Sequence, residues 1–195
     1  MFIAFEGPTG VGKTTIAEAL AGELSGQFFP DPFAEVTRFN NVNSDPLATE
    51  LEFLFRRYTC LESIRERLKR APDQPAICDW HVRKYSYFAR QNLSKSDFEI
   101  ISRFASLVEA ASPTPDLLIF LRTSTTEIKS RITKRGRPYE QHINHSEIDR
   151  MSHDFSLIAS TMGAEGRATV HVVENSDGIR STIRRLKEVL SDVLT

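Results

Sequence analysis

The sequence predicts an α/β protein with three layers, α/β/α, in which helices cover both faces of a short parallel sheet. Short, fully apolar runs alternate with segments whose apolar residues recur at helical spacing, as in a parallel sheet with crossover helices. A glycine-rich stretch, GPTGVGKT at residues 7–14, lies between the first apolar run and the first helical segment. The 195 residues contain no linker, repeat or low-complexity tract, so we expect one domain over 1–195.

Five strands are predicted from short apolar runs. FIAF at residues 2–5 precedes the glycine-rich stretch, and DLLIFLR at 116–122 is the clearest strand in the chain. The second run ends at Pro30, because proline has no N–H to donate to a sheet. In chain order, the predicted strands cover residues 2–5, 27–30, 76–78, 116–122 and 169–173.

Six helical segments are predicted from apolar residues that recur every three or four positions. The third segment is broken near Leu93–Ser96, and Asp97 is expected to cap the helix after the break. The polar, asparagine-rich stretch 33–46 is expected to be a loop. The predicted helices cover residues 13–25, 46–70, 82–111, 125–135, 146–162 and 179–193.

Composition limits the classes of partner and of cellular location. The net charge of -1 provides no positive surface for nucleic acid or an anionic membrane. Cys60 and Cys78 have the spacing of neither a metal site nor a disulfide framework, so we expect reduced thiols in a cytoplasmic protein. No apolar run approaches the ~20 residues of a membrane span, and the first strand leaves no room for a signal peptide.

The stretch FEGPTGVGKTT at residues 5–15 fits the phosphate-binding motif G-x-x-x-x-G-K-[ST]. The backbone N–H groups of such a loop cradle phosphate oxygens, and the positive end of the following helix faces them. Lys13 is expected to reach the outer phosphates, and the Thr14 hydroxyl to ligate Mg²⁺. The motif predicts nucleotide binding without fixing the reaction. The predicted nucleotide-binding residues are Gly7, Gly10, Val11, Gly12, Lys13, Thr14 and Thr15.

Two aspartates follow predicted strands. ICDW at 77–80 places Asp79 at a strand end, where a carboxylate beside the phosphate loop can hold Mg²⁺ through water. The alternative is a helix cap at a turn. FFPDPFAE at 28–35 places Asp31 between two prolines, which suits a positioned general base. The alternative there is a simple turn.

A basic segment, RITKRGRPYE at residues 131–140, brings Arg131, Arg135 and Arg137 close together. Phosphoryl transfer spreads negative charge over the moving group, and guanidinium groups can stabilise that charge. Gly136 lies between the last two arginines and can shape a mobile loop. We therefore expect a closing lid at about 131–142. The alternative is a solvated basic turn.

Taken in order, these stretches resemble the deoxynucleoside kinase family from Phe2 to about Ser160. The loop is almost as similar to that of thymidylate kinases, but the lid RITKRGRPYEQHI and the run SDPLATELEFLFRRY are more specific. The resemblance implies a P-loop kinase fold, ATP and Mg²⁺ as cofactors, a nucleoside substrate and a cytoplasmic role in nucleotide salvage. It also implies a homodimer through the helices at 46–70 and 97–111.

The resemblance also implies roles for individual residues. Asp31 stands where the family has the glutamate that takes the proton of the 5′-hydroxyl, and it is one methylene shorter. Asp79 stands at the acidic position near Mg²⁺, and Arg57 matches an arginine near the nucleobase. Glu140 matches a lid glutamate that reaches the sugar 3′-hydroxyl. The lid arginines around ATP and its moving phosphate are Arg131, Arg135 and Arg137.

Two departures from the family pattern concern charge and sugar binding. Trp80 stands where many members have an arginine after the acid of the third strand. Arg83 or Lys84, about one helical turn later, is expected to supply that charge. Asn43 stands where a tyrosine usually touches the sugar 3′-hydroxyl.

A third departure is Glu50, which stands where a glutamine usually reads the base. A carboxylate only accepts hydrogen bonds, which suits the adjacent N1–H and N2–H donors of guanine. A buried mismatch costs roughly 1–3 kcal/mol, so one hypothesis is a guanine preference. The alternative is that Glu50 is bound by Arg57, two helical turns along.

The sequence therefore predicts a kinase that moves the γ-phosphoryl group of ATP to a nucleoside 5′-hydroxyl. Two alternatives stay open. A nucleoside monophosphate kinase of the thymidylate kinase type would need a cation for the acceptor phosphate, such as Arg38, Arg57 or Lys84. A nucleotide-binding regulator would bind ATP without transferring phosphate.

Overall fold

A computed structural model describes residues 1–39 and 44–194, with side chains up to residue 191; Asn43 lies outside the described residues. The strands are β1 (Phe2–Glu6), β2 (Gln27–Phe29), β3 (Ala76–Cys78), β4 (Leu117–Arg122) and β5 (Thr169–Glu174). All described strand pairs are parallel, in the order β2-β3-β1-β4-β5. The helices are α1 (Lys13–Glu23), α2 (Pro46–Arg70), α3 (Tyr85–Asn92), α4 (Lys95–Ala111), α5 (Thr125–Arg135), α6 (His145–Ala164) and α7 (Ile179–Leu194).

The central strand β1 is buried on both faces, which is why its sequence is apolar without alternation. Phe2 and Ala4 face one core, which also includes side chains from α2, α3, α4 and α6. Ile3 and Phe5 face the other core, with side chains from α1, α5 and α7. The predicted three-layer α/β/α fold is confirmed.

The ends of several elements differ from the predictions. β2 stops at Phe29, one residue before Pro30, and a short 3-10 helix, Pro32–Glu35, follows it within the predicted loop. The segment 82–111, predicted as helical with a break near Leu93–Ser96, is a 3-10 turn at Val82–Lys84 followed by α3, which ends at Asn92, and α4, which begins at Lys95. The predicted break is confirmed, but the predictions of a loop over 33–46 and of an α-helix from residue 82 were too coarse.

Asp97 does not cap α4, so that prediction was wrong. Ser94 is the capping residue, and its hydroxyl accepts the Asp97 N–H at 3.2 Å. The Ser94 hydroxyl also donates to the Asp97 carboxylate at 2.7 Å. Asp97 therefore lies in the first turn, where its negative charge interacts favourably with the positive end of the helix dipole.

Helix α2 carries several side chains of the site. Asp45 caps the helix by accepting the Ala48 N–H at 2.7 Å, and Pro46 occupies the first helical position, where a missing N–H costs nothing. Glu50 and Arg57 are two helical turns apart, and both are buried. The helix therefore directs both polar side chains inward.

Two sequence expectations concern the thiols and the membrane. Cys60 and Cys78 are free thiols, and burial raises the pKa of Cys60 to about 12. No helix in the described part of the chain combines the length and apolar character needed to cross a membrane.

Candidate active site

A cleft of about 830 Å³ opens at the carboxyl ends of the strands. The phosphate loop, the segment after β2, α2, α3 and the lid region after α5 contribute to its walls. This volume lies within the range of small-molecule sites, and the carboxyl edge is where open α/β sheets bind ligands. The cleft therefore brings together most of the side chains that the sequence predicts for the site.

The phosphate loop depends on glycine at two close approaches. A side chain at Gly7, where φ is +142°, would place a Cβ 2.5 Å from the Leu121 carbonyl oxygen. At Gly12, where φ is +104°, a Cβ would lie 2.6 Å from Asn175 Nδ2. Lys13 Nζ donates to the carbonyl oxygen of Gly7 at 2.6 Å. Burial lowers the pKa of Lys13 to about 8.

A network of polar side chains binds the backbone of the phosphate loop. Its centre is the Val11 carbonyl oxygen, which accepts Asn175 Nδ2 at 2.7 Å and Arg131 Nη1 at 2.9 Å. Thr182 Oγ1 donates to Asn175 Oδ1 at 2.9 Å, and both residues are buried. Arg131 therefore binds loop backbone in this structure. The sequence analysis missed Asn175; its position directly after a strand was the available signal.

Asp79 links the nucleotide side of the cleft to Asp31. The Thr14 hydroxyl donates to Asp79 Oδ2, and the Asp31 N–H donates to Asp79 Oδ1 at 2.7 Å. Thr14 and Asp79 present hard oxygen atoms beside the phosphate loop, as Mg²⁺ requires. The described residues contain no cluster of three or more metal-ligating side chains.

Asp31 is the centre of a partly buried ion-pair cluster. Arg57 Nε and Nη2 donate to its two carboxylate oxygens, each at 3.2 Å. Lys84 Nζ donates to Asp31 Oδ2 at 2.9 Å. Burial opposes ionisation, but the charges of Arg57 and Lys84 hold the pKa of Asp31 below its ordinary value. Asp31 is therefore an ionised acceptor at neutral pH.

The structure distinguishes between the two cations expected to replace the family arginine. Arg83 points away from the cleft, with hydrogen bonds of 2.7 Å to both Glu109 and Glu165. Lys84 contacts Asp31 directly. Trp80, at the arginine position, is fully buried in the apolar core. The positive charge beside Asp31 is therefore supplied by Lys84 and by Arg57 from α2.

The segment predicted as a lid contacts the phosphate loop through Glu140 and Arg135. This buried carboxylate accepts Arg135 Nη2 at 2.5 Å and Arg135 Nε at 3.0 Å. Arg137 Nη1 lies 3.6 Å from Glu140 Oε1, and the Thr9 hydroxyl donates to the same oxygen at 3.3 Å. Glu140 therefore positions both lid arginines and joins them to the loop.

Four aromatic rings line the cleft between the lid and α2. Tyr139 of the lid lies 5.4 Å, between ring centroids, from both Phe33 and Phe39. Phe53 of α2 lies 5.8 Å from each of these phenylalanines. The sequence analysis did not single out these rings, because they come from three segments far apart in the chain.

Glu50 lines the cleft and is 4% exposed. Its Oε1 accepts Asn92 Nδ2 at 2.9 Å. Burial raises the pKa of Glu50, although Asn92 and the charge of Arg57 act in the opposite direction. Arg57 directs Nε and Nη2 to Asp31, so the alternative of a Glu50–Arg57 pair is wrong.

Comparisons with known proteins give one family model over nearly the whole chain and relatives of two kinds, deoxynucleoside kinases and thymidylate kinases. A family model described as deoxynucleoside kinase matches residues 3–194. Deoxyguanosine kinase of Bacillus subtilis is 32% identical over 183 residues, which cover 89% of this chain and 86% of that protein. A probable thymidylate kinase of Methanococcus aeolicus is 32% identical over 145 residues, covering 69% and 67%. The structure of M. mycoides deoxyadenosine kinase with dCMP and dCDP bound has a TM-score of 0.77 at 21% identity, covering 98% and 100%.

Replacing Gly7 by alanine should disrupt the phosphate loop, because its Cβ would collide with the Leu121 carbonyl oxygen in a strained backbone region. We expect Gly7→Ala to weaken binding of a fluorescent ATP analogue by roughly tenfold or more.

Gly22→Ala is the matched control. Gly22 lies in α1, and an added Cβ would meet no atom within 4 Å. ATP binding should be unchanged, and the free energy of unfolding should rise by about 0.5–1 kcal/mol. Wild-type ATP affinity in Gly7→Ala would contradict the steric argument.

Proposed function

Because the chain belongs to the deoxynucleoside kinase family, we propose that it transfers the γ-phosphoryl group of ATP to the 5′-hydroxyl of a purine deoxynucleoside, with guanine preferred. One observation carries the proposal: a single cleft contains Lys13 of the phosphate loop and the Asp31 ion-pair cluster. The first group suits the donor phosphates and the second suits an acceptor hydroxyl. The guanine preference is supported by Glu50 and by the similarity to a deoxyguanosine kinase.

In the proposed reaction, the ionised Asp31 carboxylate accepts a hydrogen bond from the 5′-hydroxyl and orients its oxygen toward the γ-phosphate. The oxygen forms a bond to phosphorus as the bond to the leaving ADP oxygen breaks. Asp31 receives the hydroxyl proton. A loose transition state needs little deprotonation of the nucleophile in advance, so a carboxylate with a low pKa suffices.

The donor phosphates are assigned to the loop and the lid. Lys13, Arg135 and Arg137 stabilise the negative charge that spreads over the moving group. Thr14 and Asp79 would hold Mg²⁺, which would neutralise charge on the phosphate oxygens. The lid excludes water that would otherwise compete as acceptor.

The lid and α2 would also hold the nucleoside. Glu140 lines the cleft beside Arg135 and is assigned to the sugar 3′-hydroxyl. Arg57 Cζ lies 5.2 Å from the centroid of the Phe53 ring. Both side chains line the part of the cleft that we assign to the base. Phosphorylation of a free nucleoside would give this chain a cytoplasmic role in nucleotide salvage.

The thymidylate-kinase-type alternative is weaker. It requires a cation that is free to bind an acceptor phosphate. Arg57 and Lys84 are committed to Asp31, and Arg38 lies 3.6 Å from the Glu52 carboxylate. The phosphate of a monophosphate acceptor would therefore lie near the negative Asp31 carboxylate. The cations beside that carboxylate, Arg57 and Lys84, already form ion pairs with Asp31.

The proposal is tested by ADP formation from ATP and Mg²⁺ in the presence of each deoxynucleoside, ribonucleoside and monophosphate. We expect turnover with deoxynucleosides and the highest kcat/KM with deoxyguanosine, because Glu50 offers only acceptors to the base. Turnover confined to monophosphates would overturn the proposal in favour of the thymidylate kinase class. Equal use of all bases would remove the guanine preference alone.

We also propose a homodimer formed through α2 and α4, which pack side by side. Large apolar side chains on these helices are exposed: Phe55 at 62%, Phe104 at 52% and Leu107 at 68%. Such a patch on a small protein favours a protein partner. A second copy is the partner that the family resemblance implies.

A negative charge introduced into this apolar patch should dissociate the dimer. We expect light scattering to give about twice the chain mass for the wild type and a single chain mass for Phe104→Glu. Leu157→Glu is the control, because Leu157 is similarly exposed at 60% but lies on α6. A monomeric wild type, or a Phe104→Glu variant that remains dimeric, would contradict this interface.

A further inference from the structure

Asn92 forms a polar pair with Glu50 in the wall of the cleft. Glu50 is buried on α2, and Asn92 is the last residue of α3. Asn92 Nδ2 donates to Glu50 Oε1 at 2.9 Å, and both side chains line the cleft. The two residues are 42 positions apart in the chain. Two separate helices therefore present an amide donor directly beside a carboxylate acceptor.

The chemistry of the pair fixes its orientation. An ionised carboxylate has no hydrogen to donate, so the asparagine must turn its NH₂ group toward Glu50. One N–H of that NH₂ group is then left for a ligand. Glu50 keeps acceptor capacity on both oxygens, because each carboxylate oxygen has two lone pairs. The pair thus offers one donor followed by two acceptors.

We propose that Asn92 is a specificity-determining residue, and that its amide and the Glu50 carboxylate together select guanine over adenine. The inference rests on the proposed function. Guanine presents an acceptor, O6, followed by two donors, N1–H and N2–H. The free Asn92 N–H matches O6, and the two Glu50 oxygens match N1–H and N2–H.

At the same edge, adenine presents a donor, the N6 amino group, followed by an acceptor, N1. Its N6 amino group would face the Asn92 N–H, and its N1 lone pair would face a Glu50 oxygen. Neither contact is a hydrogen bond. Asn92 is exposed, but the contact at N1 leaves the buried Glu50 carboxylate without a donor from the base. Hypoxanthine matches O6 and N1–H but lacks the N2 amino group. The order of preference should therefore be deoxyguanosine, then deoxyinosine, then deoxyadenosine.

The nearby Arg57 forms no described hydrogen bond or ion pair with Glu50, although its positive charge favours the ionised carboxylate. Arg57 is held by Asp31 through two hydrogen bonds, so its Nε and Nη2 are not available to Glu50. Among the described residues, the hydrogen bond to Glu50 comes from Asn92. A base with two adjacent N–H donors would supply the hydrogen bonds that this buried carboxylate can still accept.

The test compares kcat/KM for deoxyguanosine, deoxyinosine and deoxyadenosine in the wild type, Asn92→Ala and Asn92→Leu. Both variants remove the donor to O6, and Asn92→Leu does so with a side chain of similar size and no ionisable group beside Glu50. We expect about a tenfold loss with deoxyguanosine and deoxyinosine, the scale of one hydrogen bond. Deoxyadenosine should lose little, because Asn92 offers it no partner. The guanine-to-adenine ratio should therefore fall about tenfold.

Gln91→Ala is the matched control. Gln91 precedes Asn92 on α3, is exposed and also lines the cleft. Its kcat/KM ratio between the bases should equal that of the wild type. The KM for ATP should stay unchanged in all variants, which separates base selection from a general folding defect.

Three outcomes would overturn the inference. One is a wild-type preference for deoxyadenosine. Another is an Asn92→Leu variant whose guanine-to-adenine ratio stays within twofold of the wild type, with the proposed kinase activity intact. The third is a wild type that phosphorylates no deoxynucleoside, which would overturn the proposed function as well.

Discussion

The site is organised around the partly buried carboxylate of Asp31. Arg57 reaches it from α2 and Lys84 from the turn before α3, while Asp79 at the end of β3 accepts the Asp31 N–H. Asp79 also accepts the Thr14 hydroxyl at the start of α1. Through these contacts, the place proposed for the acceptor hydroxyl is tied to the phosphate loop. A shift of the Asp31 cluster or of the phosphate loop would change the distance between the proposed acceptor hydroxyl and the phosphate that it receives.

The charges in this cluster position the Asp31 carboxylate and contribute little to the stability of the fold. Burying ions costs solvation energy that the pairing often only repays. Arg57 and Lys84 nevertheless fix the Asp31 carboxylate in one position and keep it ionised. On the opposite wall, Glu140 fixes Arg135 in the same manner. The side chains proposed for the reaction are therefore oriented before substrate arrives, and such preorganisation is a main contribution of proteins to phosphoryl transfer.

Features encoded within short stretches could be predicted from the sequence. The fold, the phosphate loop and the placement of Asp79 at a strand end followed from local patterns of apolar residues and glycine. Contacts between distant segments could not be predicted. Asn92 and Glu50 are 42 residues apart, and Asn175 and Val11 are 164 apart. The Glu50–Arg57 pair was plausible by helical spacing, but a carboxylate from outside the helix, Asp31, binds the arginine instead.

The most direct test of the central claim is the rate of phosphoryl transfer in a single turnover of Asp31→Asn with bound ATP, Mg²⁺ and deoxyguanosine. Asparagine keeps the shape but offers one acceptor oxygen and no charge. We expect the rate to fall by about 10² or more, with ATP affinity unchanged and with Asp31→Glu retaining more activity than Asp31→Asn. A rate within about threefold of the wild type would show that the acceptor hydroxyl is activated elsewhere, and it would contradict the role given to the Asp31 cluster.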